Sequence, residues 1–217
     1  MFDTVAPRYD FLNRLLSVGI DGRWRRRAIA ALGPEPGHVV LDLCAGTGDL
    51  GFTAARVDGV SVLGMDLARN MLARGEAKRG ERRVRFVQAD GECLPLPAAS
   101  VDRACVGFGI RNMSSLSAAF DETVRVLKPG GRLVILEFTI PPNPVLRSLY
   151  HTYFHHILPR VGAWVSGDGE AYRYLPASVS RFPEPRDLAA LLTTRGFRDV
   201  RWSLLSGGIA SLHIAER

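Results

Sequence analysis

The stretch Val39–Leu50, VVLDLCAGTGDL, constrains this chain more than any other. Val39, Val40, Leu41 and Leu43 read as a short strand buried on both faces. Gly46 and Gly48 then form a turn, and a helix begins at once. Without a Cβ, the turn lies flat against a ligand and takes dihedrals that other residues resist. A parallel strand feeding a glycine turn and a helix N-terminus is the cofactor cradle of open α/β sheets. Gly46, Gly48 and Gly51 also satisfy G-x-G-x-x-G, so a nicotinamide or flavin dinucleotide competes with other adenosine cofactors at this point.

The 217 residues suit one domain with a full core. No apolar run approaches the roughly 20 residues of a membrane helix, and MFDTVAPRYD carries acids without the apolar centre of a secretory signal. Cys44, Cys93 and Cys105 have no metal spacing and cannot all pair, so a reducing cytoplasm is the expected compartment and small apolar core residues their expected role. The net charge is +6, almost all from arginine. A basic balance points to nucleic acid, an anionic membrane surface or an acidic ligand. No glycine-aromatic recognition string or long basic tail is present, so nucleic acid is not expected. Arg23, Arg25, Arg26 and Arg27 around Trp24, with Leu12, Leu15, Leu16, Ile20 and Ile29, suit either a basic amphipathic segment at a membrane surface or a solvated helix face.

In chain order, residues 2–32 read as helical with a break at Gly19 and Asp21 as a cap, and GPEPG at 33–37 separates them from the first strand. Residues 1–36 are thus expected to form a helical lid over the ligand edge of the sheet. A helix at 49–55 leads to a second buried strand, Ser61–Asp66, ending in an acid. Asp66 at that place accepts both hydroxyls of a ribose, or caps the helix that follows; with the glycine turn, ribose is favoured. Val84–Gln88 is a third strand, and Asp90 after it accepts from an adenine amine. Strand Val101–Gly107 runs into Phe108-Gly109-Ile110-Arg111-Asn112. Helix Leu116–Leu127 is expected to stop at Lys128-Pro129-Gly130-Gly131, before strand Arg132–Phe138. Residues 140–180 break the alternation and crowd aromatics with His151, His155 and His156, which suits an insertion covering a flat apolar substrate. No acid or cysteine completes a metal set around those histidines, so no metal is expected. Helix 186–195, strand Val200–Leu204, a Gly207-Gly208 turn and strand Ile209–Ala215 close the chain as an antiparallel hairpin.

This order resembles the class I S-adenosylmethionine-dependent methyltransferase fold, an α/β, Rossmann-like arrangement with a seven-stranded, mostly parallel sheet whose last strand is antiparallel. MFDTVAPRYDFLNRLLS, VLDLCAGTGDL, FGIRNM, RVLKPGGRLVILEF, YRYLPASVSRFP and GGIASLHIAER narrow the resemblance to the ubiquinone/menaquinone biosynthesis C-methyltransferase family, along essentially the whole chain. The resemblance implies S-adenosyl-L-methionine as cofactor and methylation of a demethylated isoprenoid hydroquinone on ring carbon. Asp42, Gly46, Thr47 and Gly48 would belong to its methionine-binding loop. Asp66 and Leu67 would form the ribose site, Asp90 and Gly91 the adenine site, and Gly107 the small residue beside the cofactor. Arg111, Asn112 and Tyr9 would be the catalytic residues. Cys44 departs from the glycine common at that position in the wider superfamily. The compact form and Cys44 lean towards demethylmenaquinol over a ubiquinone precursor.

The expected chemistry is an in-line displacement in which a hydroquinol carbon attacks the methyl of a sulfonium, so the enzyme aligns reactants and excludes water. Arg111 would stabilise the developing phenolate, or else form a salt bridge at the strand end. Asn112 would orient a ring oxygen or a relay water, and Tyr9, His155 or His156 would take the proton. A long isoprenoid tail implies a substrate drawn from a membrane and a peripheral, cytoplasmic location; a homodimer is compatible with the sequence. Two rival readings differ in class: a dinucleotide-dependent oxidoreductase, and a cofactor-binding module without turnover. A third keeps the fold but acts on another aromatic or sterol-like acceptor.

Overall fold

The computed structural model describes residues 19–153 and 170–217, with only the backbone of residue 151 and residues 170–175. A sheet of seven strands runs through it: β1 Val39–Leu43, β2 Ser61–Asp66, β3 Val84–Gln88, β4 Val101–Gly107, β5 Leu127–Phe138, β6 Arg198–Leu205 and β7 Ala210–Glu216. The spatial order is β3-β2-β1-β4-β5-β7-β6. β3 to β5 pair in parallel across β1, and β7 lies antiparallel between β5 and β6. The chain reverses direction of travel through the sheet at β1 and β4, which opens a crevice beyond their carboxyl ends. The helices are α1 Asp21–Leu32, α2 Asp49–Ala54, α3 Arg69–Arg79, α4 Leu116–Val126, α5 Pro144–Thr152, α6 Glu170–Arg181 and α7 Pro185–Thr194.

Both sheet faces are covered, as the buried apolar residues on both faces of β1 require. One face packs Trp24, Ala28 and Leu32 of α1 and Leu50 of α2 against Val40, Val134 and Leu136. The other packs Phe120 of α4 and Leu188 and Leu192 of α7 against Leu41, Val106 and Ile135. In the described part of the expected lid, Arg25 near the start of α1 reaches Asp49 at the head of α2, and α1 packs along the sheet face. Asp21 is its first residue and not its cap; Ile20 holds that position, and the Asp21 carboxylate faces Arg25 one turn on.

Two strand starts lie earlier than the sequence reading for one reason. Lys128-Pro129-Gly130-Gly131 was expected to stop a helix, yet it lies inside β5. Pro129 and the glycines sit where the β4–β5 register slips, between Val101 and Arg103, so a bulge absorbs residues that a regular ladder excludes. A second slip, between Arg198 and Arg201, lets β6 begin two residues before the expected Val200.

The glycine turn is built as much by packing as by any ligand. A Cβ at Gly48 would meet the Phe86 ring at 2.6 Å, one at Gly64 at 2.8 Å and one at Gly75 at 2.7 Å. One aromatic ring from β3 thus occupies a socket that three glycines keep open, and it stacks edge-on with Phe52 of α2. Behind the turn, the buried Asp42 carboxylate accepts from the Gly51 N–H at 2.7 Å and from Cys105 Sγ at 3.8 Å. Burial pushes this carboxyl up to about 7, against the pull of the Gly51 N–H and Arg25.

Gly75→Ala is expected to destabilise the protein by about 1–3 kcal/mol, although alanine normally favours a helix interior by about 1 kcal/mol. Urea unfolding of Gly75→Ala in the wild-type and Phe86→Leu backgrounds measures it; a loss that persists undiminished with leucine would contradict the socket. For Asp42, the folded chain retains between pH 4 and 7 a proton that the unfolded chain has released, so stability falls as pH rises through that window. Asp42→Asn removes this loss. Between pH 5 and 8 its stability relative to wild type should improve by about 3 kcal/mol; a pH-independent difference would contradict the raised carboxyl.

Candidate active site

Three successive parallel strands deliver their C-terminal residues to one cleft. The end of β1 supplies Leu43, Cys44 and Gly46; the end of β2 supplies Met65, Asp66 and Leu67; the turn after β3 supplies Ala89, Asp90, Gly91 and Glu92. Phe108, Gly109, Asn112 and Met113, beyond β4, close the far side.

Asp66 organises this wall. Its Oδ2 accepts from the Gly46 N–H at 2.8 Å and its Oδ1 from the Ala68 N–H at 2.8 Å, so one carboxylate ties the glycine turn to the start of α3. Asp66 does not cap α3, whose N-cap is Ala68 without a side-chain bond; its two backbone bonds leave acceptor positions for a ligand, since a carboxylate has about four. Asp90 accepts from the Glu92 N–H at 2.9 Å, and Glu92 in turn accepts from Ser114 at 2.6 Å and Ser115 at 2.9 Å. These bonds pin the β3 turn to the start of α4. Gly91 packs closely: a Cβ there would meet the ends of the Met113 and Leu43 side chains at 2.6 and 3.0 Å.

Cys44 and Phe108 both take left-handed backbone, at φ 55° and 58°, where the ends of β1 and β4 face each other. A Cβ at Gly109 would run into Cys44, so only glycine lets these turns touch. Strained non-glycine residues of this kind persist where surrounding structure over-determines them, commonly at functional sites. Burial pushes the Cys44 thiol well up, which keeps it a neutral wall residue and no nucleophile.

The expected site residues separate into three groups. Gly46, Asp66, Leu67, Asp90, Gly91 and Asn112 line the cleft. Asp42, Thr47, Gly48, Gly107 and Arg111 are not among its lining residues. Thr47 is buried and receives Lys78 Nζ at 3.0 Å, Gly48 faces Phe86, and Gly107 lies against Leu50. Tyr9, His155, His156 and the centre of the aromatic insertion lie outside the described residues.

Arg111 is the informative difference. Its Nη1 donates to Glu137 Oε1 at 2.8 Å and to the Phe108 carbonyl, and its Nε donates to Ser178 Oγ at 3.2 Å. The guanidinium also lies over the Phe138 ring. Glu137 is fully buried, and accepts as well from the Phe138 N–H at 2.9 Å. Of the two roles weighed for Arg111, its described contacts are those of a salt bridge at the strand end. Glu137 escaped the sequence reading, yet a carboxylate closing the buried run LVILEF signals a partner, because such a charge is almost never left alone. Cys44, Glu92 and Phe108 were likewise missed as wall residues; their roles come from turn geometry that no spacing rule encodes.

Among the described residues the wall carries three carboxylates, Asp66, Asp90 and Glu92, and no basic side chain. It therefore favours hydroxyl and amine donors and positive charge over a pyrophosphate. Among the described residues no group of His, Cys, Asp and Glu is placed to hold a metal ion, and no helix is long and apolar enough to cross a membrane.

Comparison with known proteins agrees with this geometry. A demethylmenaquinone methyltransferase from Thermus thermophilus is 46% identical over 220 residues, covering all of both chains. A ubiquinone/menaquinone biosynthesis C-methyltransferase UbiE from Syntrophotalea carbinolica is 47% identical over 216 residues, covering 98% of this chain and 91% of its own. Among solved structures, the [4+2]-cyclase SpnF superposes with a TM-score of 0.75 at 18% identity, over 100% of this chain and 93% of its own. An S-adenosylmethionine-dependent methyltransferase from Mesorhizobium loti does so with a TM-score of 0.66 at 21% identity, over 92% and 100%. These two share the fold, and a fold alone does not fix chemistry. The profile of the ubiE/COQ5 methyltransferase family matches residues 1–217, and with relatives of this identity along its whole length the chain belongs to that family.

Proposed function

We propose that this protein transfers the methyl group of S-adenosyl-L-methionine to a ring carbon of a demethylated isoprenoid hydroquinone, with demethylmenaquinol as the acceptor. The observation that carries the cofactor assignment is the acidic cleft wall. The ribose of a dinucleotide would also donate to Asp66, but Asp90 and Glu92 add two further carboxylates beside it, and ribose hydroxyls, an adenine amine and a sulfonium are all complementary to such a wall. Full-length relatives named for demethylmenaquinone support this acceptor.

The bound cofactor supplies a methyl already activated by its positive sulfur, which leaves as a neutral thioether. The chain's share is to hold, align and keep dry. Asp66 receives the ribose, Asp90 and Gly91 border the adenine, and Leu67, 62% exposed at the rim, covers it. Asn112, on the wall, orients the ring oxygen next to the attacking carbon. Arg111 serves as a positioning residue: its charge is matched by Glu137, and its bond to the Phe108 carbonyl holds the turn that presents Asn112. The hydroquinol proton goes to Tyr9, His155 or His156. Tyr150, near Arg111 and Glu137, is no candidate, because burial raises its hydroxyl far above the ordinary range.

A substrate with a long isoprenoid tail comes from a bilayer, and we extend the proposal to peripheral association with an anionic membrane. Arg23, Arg26 and Arg27 are exposed on α1, and Trp24 Nε1 joins that helix to Ser206 at 3.0 Å. Beyond Ser206, Gly207 touches Leu146 of α5, whose Val145 and Leu149 are 67% and 62% exposed. Basic and apolar groups thus flank one turn at the ligand edge, a combination suited to a lipid interface.

Calorimetry should give binding of S-adenosylmethionine and none of NADH; the reverse would overturn the cofactor assignment. With a short-chain demethylmenaquinol, Asn112→Ala should lower kcat by about 10²- to 10⁴-fold while cofactor affinity and Tm stay at wild-type values. An unchanged kcat would remove Asn112 from the chemistry. In cells lacking the protein, quinone profiling should find accumulated demethylmenaquinone that the wild-type chain clears and Asn112→Ala does not. Normal quinones in those cells would refute the acceptor.

A further inference from the structure

One buried cation beside the glycine turn is poorly used. Arg25, in the second turn of α1, has a side chain only 12% exposed, yet its guanidinium meets Asp21 and Asp49 no closer than 3.4 Å. Charge-assisted N–H···O bonds are shorter, at about 2.7–2.9 Å. Its Nε is buried and has no acceptor among the described residues. The guanidinium lies 5.7 Å from the centroid of the Phe108 ring, and Phe108 is part of the cleft wall. Asp49 begins α2 directly after Gly48, so Arg25 spans the space between the glycine turn and the β4 side of the cleft. Lys78, the other cation at Asp49, is engaged: its Nζ donates to Asp49 Oδ1 at 2.8 Å and to Thr47 Oγ1 at 3.0 Å. A buried donor without a partner is rare enough in folded proteins to call for an explanation, and a missing ligand is one.

We infer that Arg25 receives the α-carboxylate of the cofactor's aminocarboxypropyl arm. The inference rests on the cofactor proposed above. The acidic wall suits the adenosine and the sulfonium, but its described residues offer the carboxylate no counter-charge, and that negative group would be repelled by Asp66. Arg25 supplies the counter-charge at the glycine end of the cleft. Its planar fork binds a carboxylate, and its loose contacts with Asp21 and Asp49 leave donors that a tighter partner takes up. Asp21 and Asp49 then act as positioning residues, holding the guanidinium in place before the ligand arrives.

The test is a pair of ligands that differ in this arm. S-adenosylmethionine carries the carboxylate; 5′-methylthioadenosine keeps adenosine and sulfur but lacks the arm. By calorimetry, Arg25→Met should weaken S-adenosylmethionine by about tenfold or more and 5′-methylthioadenosine by less than about twofold. Equal weakening of both ligands, or of neither, overturns the assignment. If wild type binds neither, the cofactor proposal fails and not the role of Arg25. Should Arg25→Met fail to fold, wild type and Arg25→Lys are compared on S-adenosylhomocysteine and its α-carboxamide. A preference for the carboxylate that shrinks at least about threefold in Arg25→Lys supports the inference, because an ammonium lacks the bidentate fork; an unchanged preference overturns it.

Discussion

The carboxylate of Asp66 is the constraint on which the site depends. Accepting from Gly46 and Ala68 at once, it fixes the turn after β1, the end of β2 and the entry to α3 in one arrangement. A parallel sheet alone brings strand ends only to within a few ångströms of one another; hydrogen bonds of this kind convert neighbouring ends into a wall. Asp42 does the same one layer deeper by tying β1 to Gly51 of α2. Glu92 repeats it at the third turn, bonding Ser114 and Ser115. Acidic side chains thus brace a cleft from within, and their charge makes the surroundings selective for a cationic, hydroxyl-rich ligand.

The second organising interaction is the ion pair of Arg111 and Glu137, with side chains 6% and 0% exposed. A buried pair adds little net stability, because desolvation offsets the attraction, but removing one partner costs about 3–5 kcal/mol. Its value here is geometric. Arg111 gathers the Phe108 carbonyl, Ser178 of α6 and Glu137 of β5 around the short helical turn Ile110–Asn112. That turn puts Asn112 among the residues lining the cleft and leaves Arg111 out of them. Loss of activity on replacing Arg111 would therefore mix chemistry with scaffold, whereas Asn112 reports on chemistry more directly.

Much of this was legible from sequence, for identifiable reasons. Strands β1 and β2 were legible as mostly apolar, mostly buried segments and β3 and β4 by their place in the strand–helix alternation, and the acids at 66 and 90 stood at strand ends where ligand groups belong. The antiparallel close of the sheet followed from the Gly207-Gly208 turn. Local rules misjudged two features. Lys128-Pro129-Gly130-Gly131 has the composition of a stop, yet tertiary pairing with β4 turns it into a bulge. Asp21 has the composition of a cap, yet Arg25 one turn on holds its carboxylate as an ion-pair partner. The role of Arg111 was undecided from sequence because it depends on Glu137, twenty-six positions away in the chain and adjacent only across the sheet.

The ring of Phe86 carries a consequence for dynamics. It belongs to β3, the outermost strand on its side, while the three glycines around it belong to the central turn, β2 and α3. Order at the middle of the molecule is therefore borrowed from its margin. Each transient peeling of that margin withdraws the aromatic plug and leaves the loop beside the cofactor unsupported, so the pace of ligand entry and exit at the centre would follow the breathing of the rim.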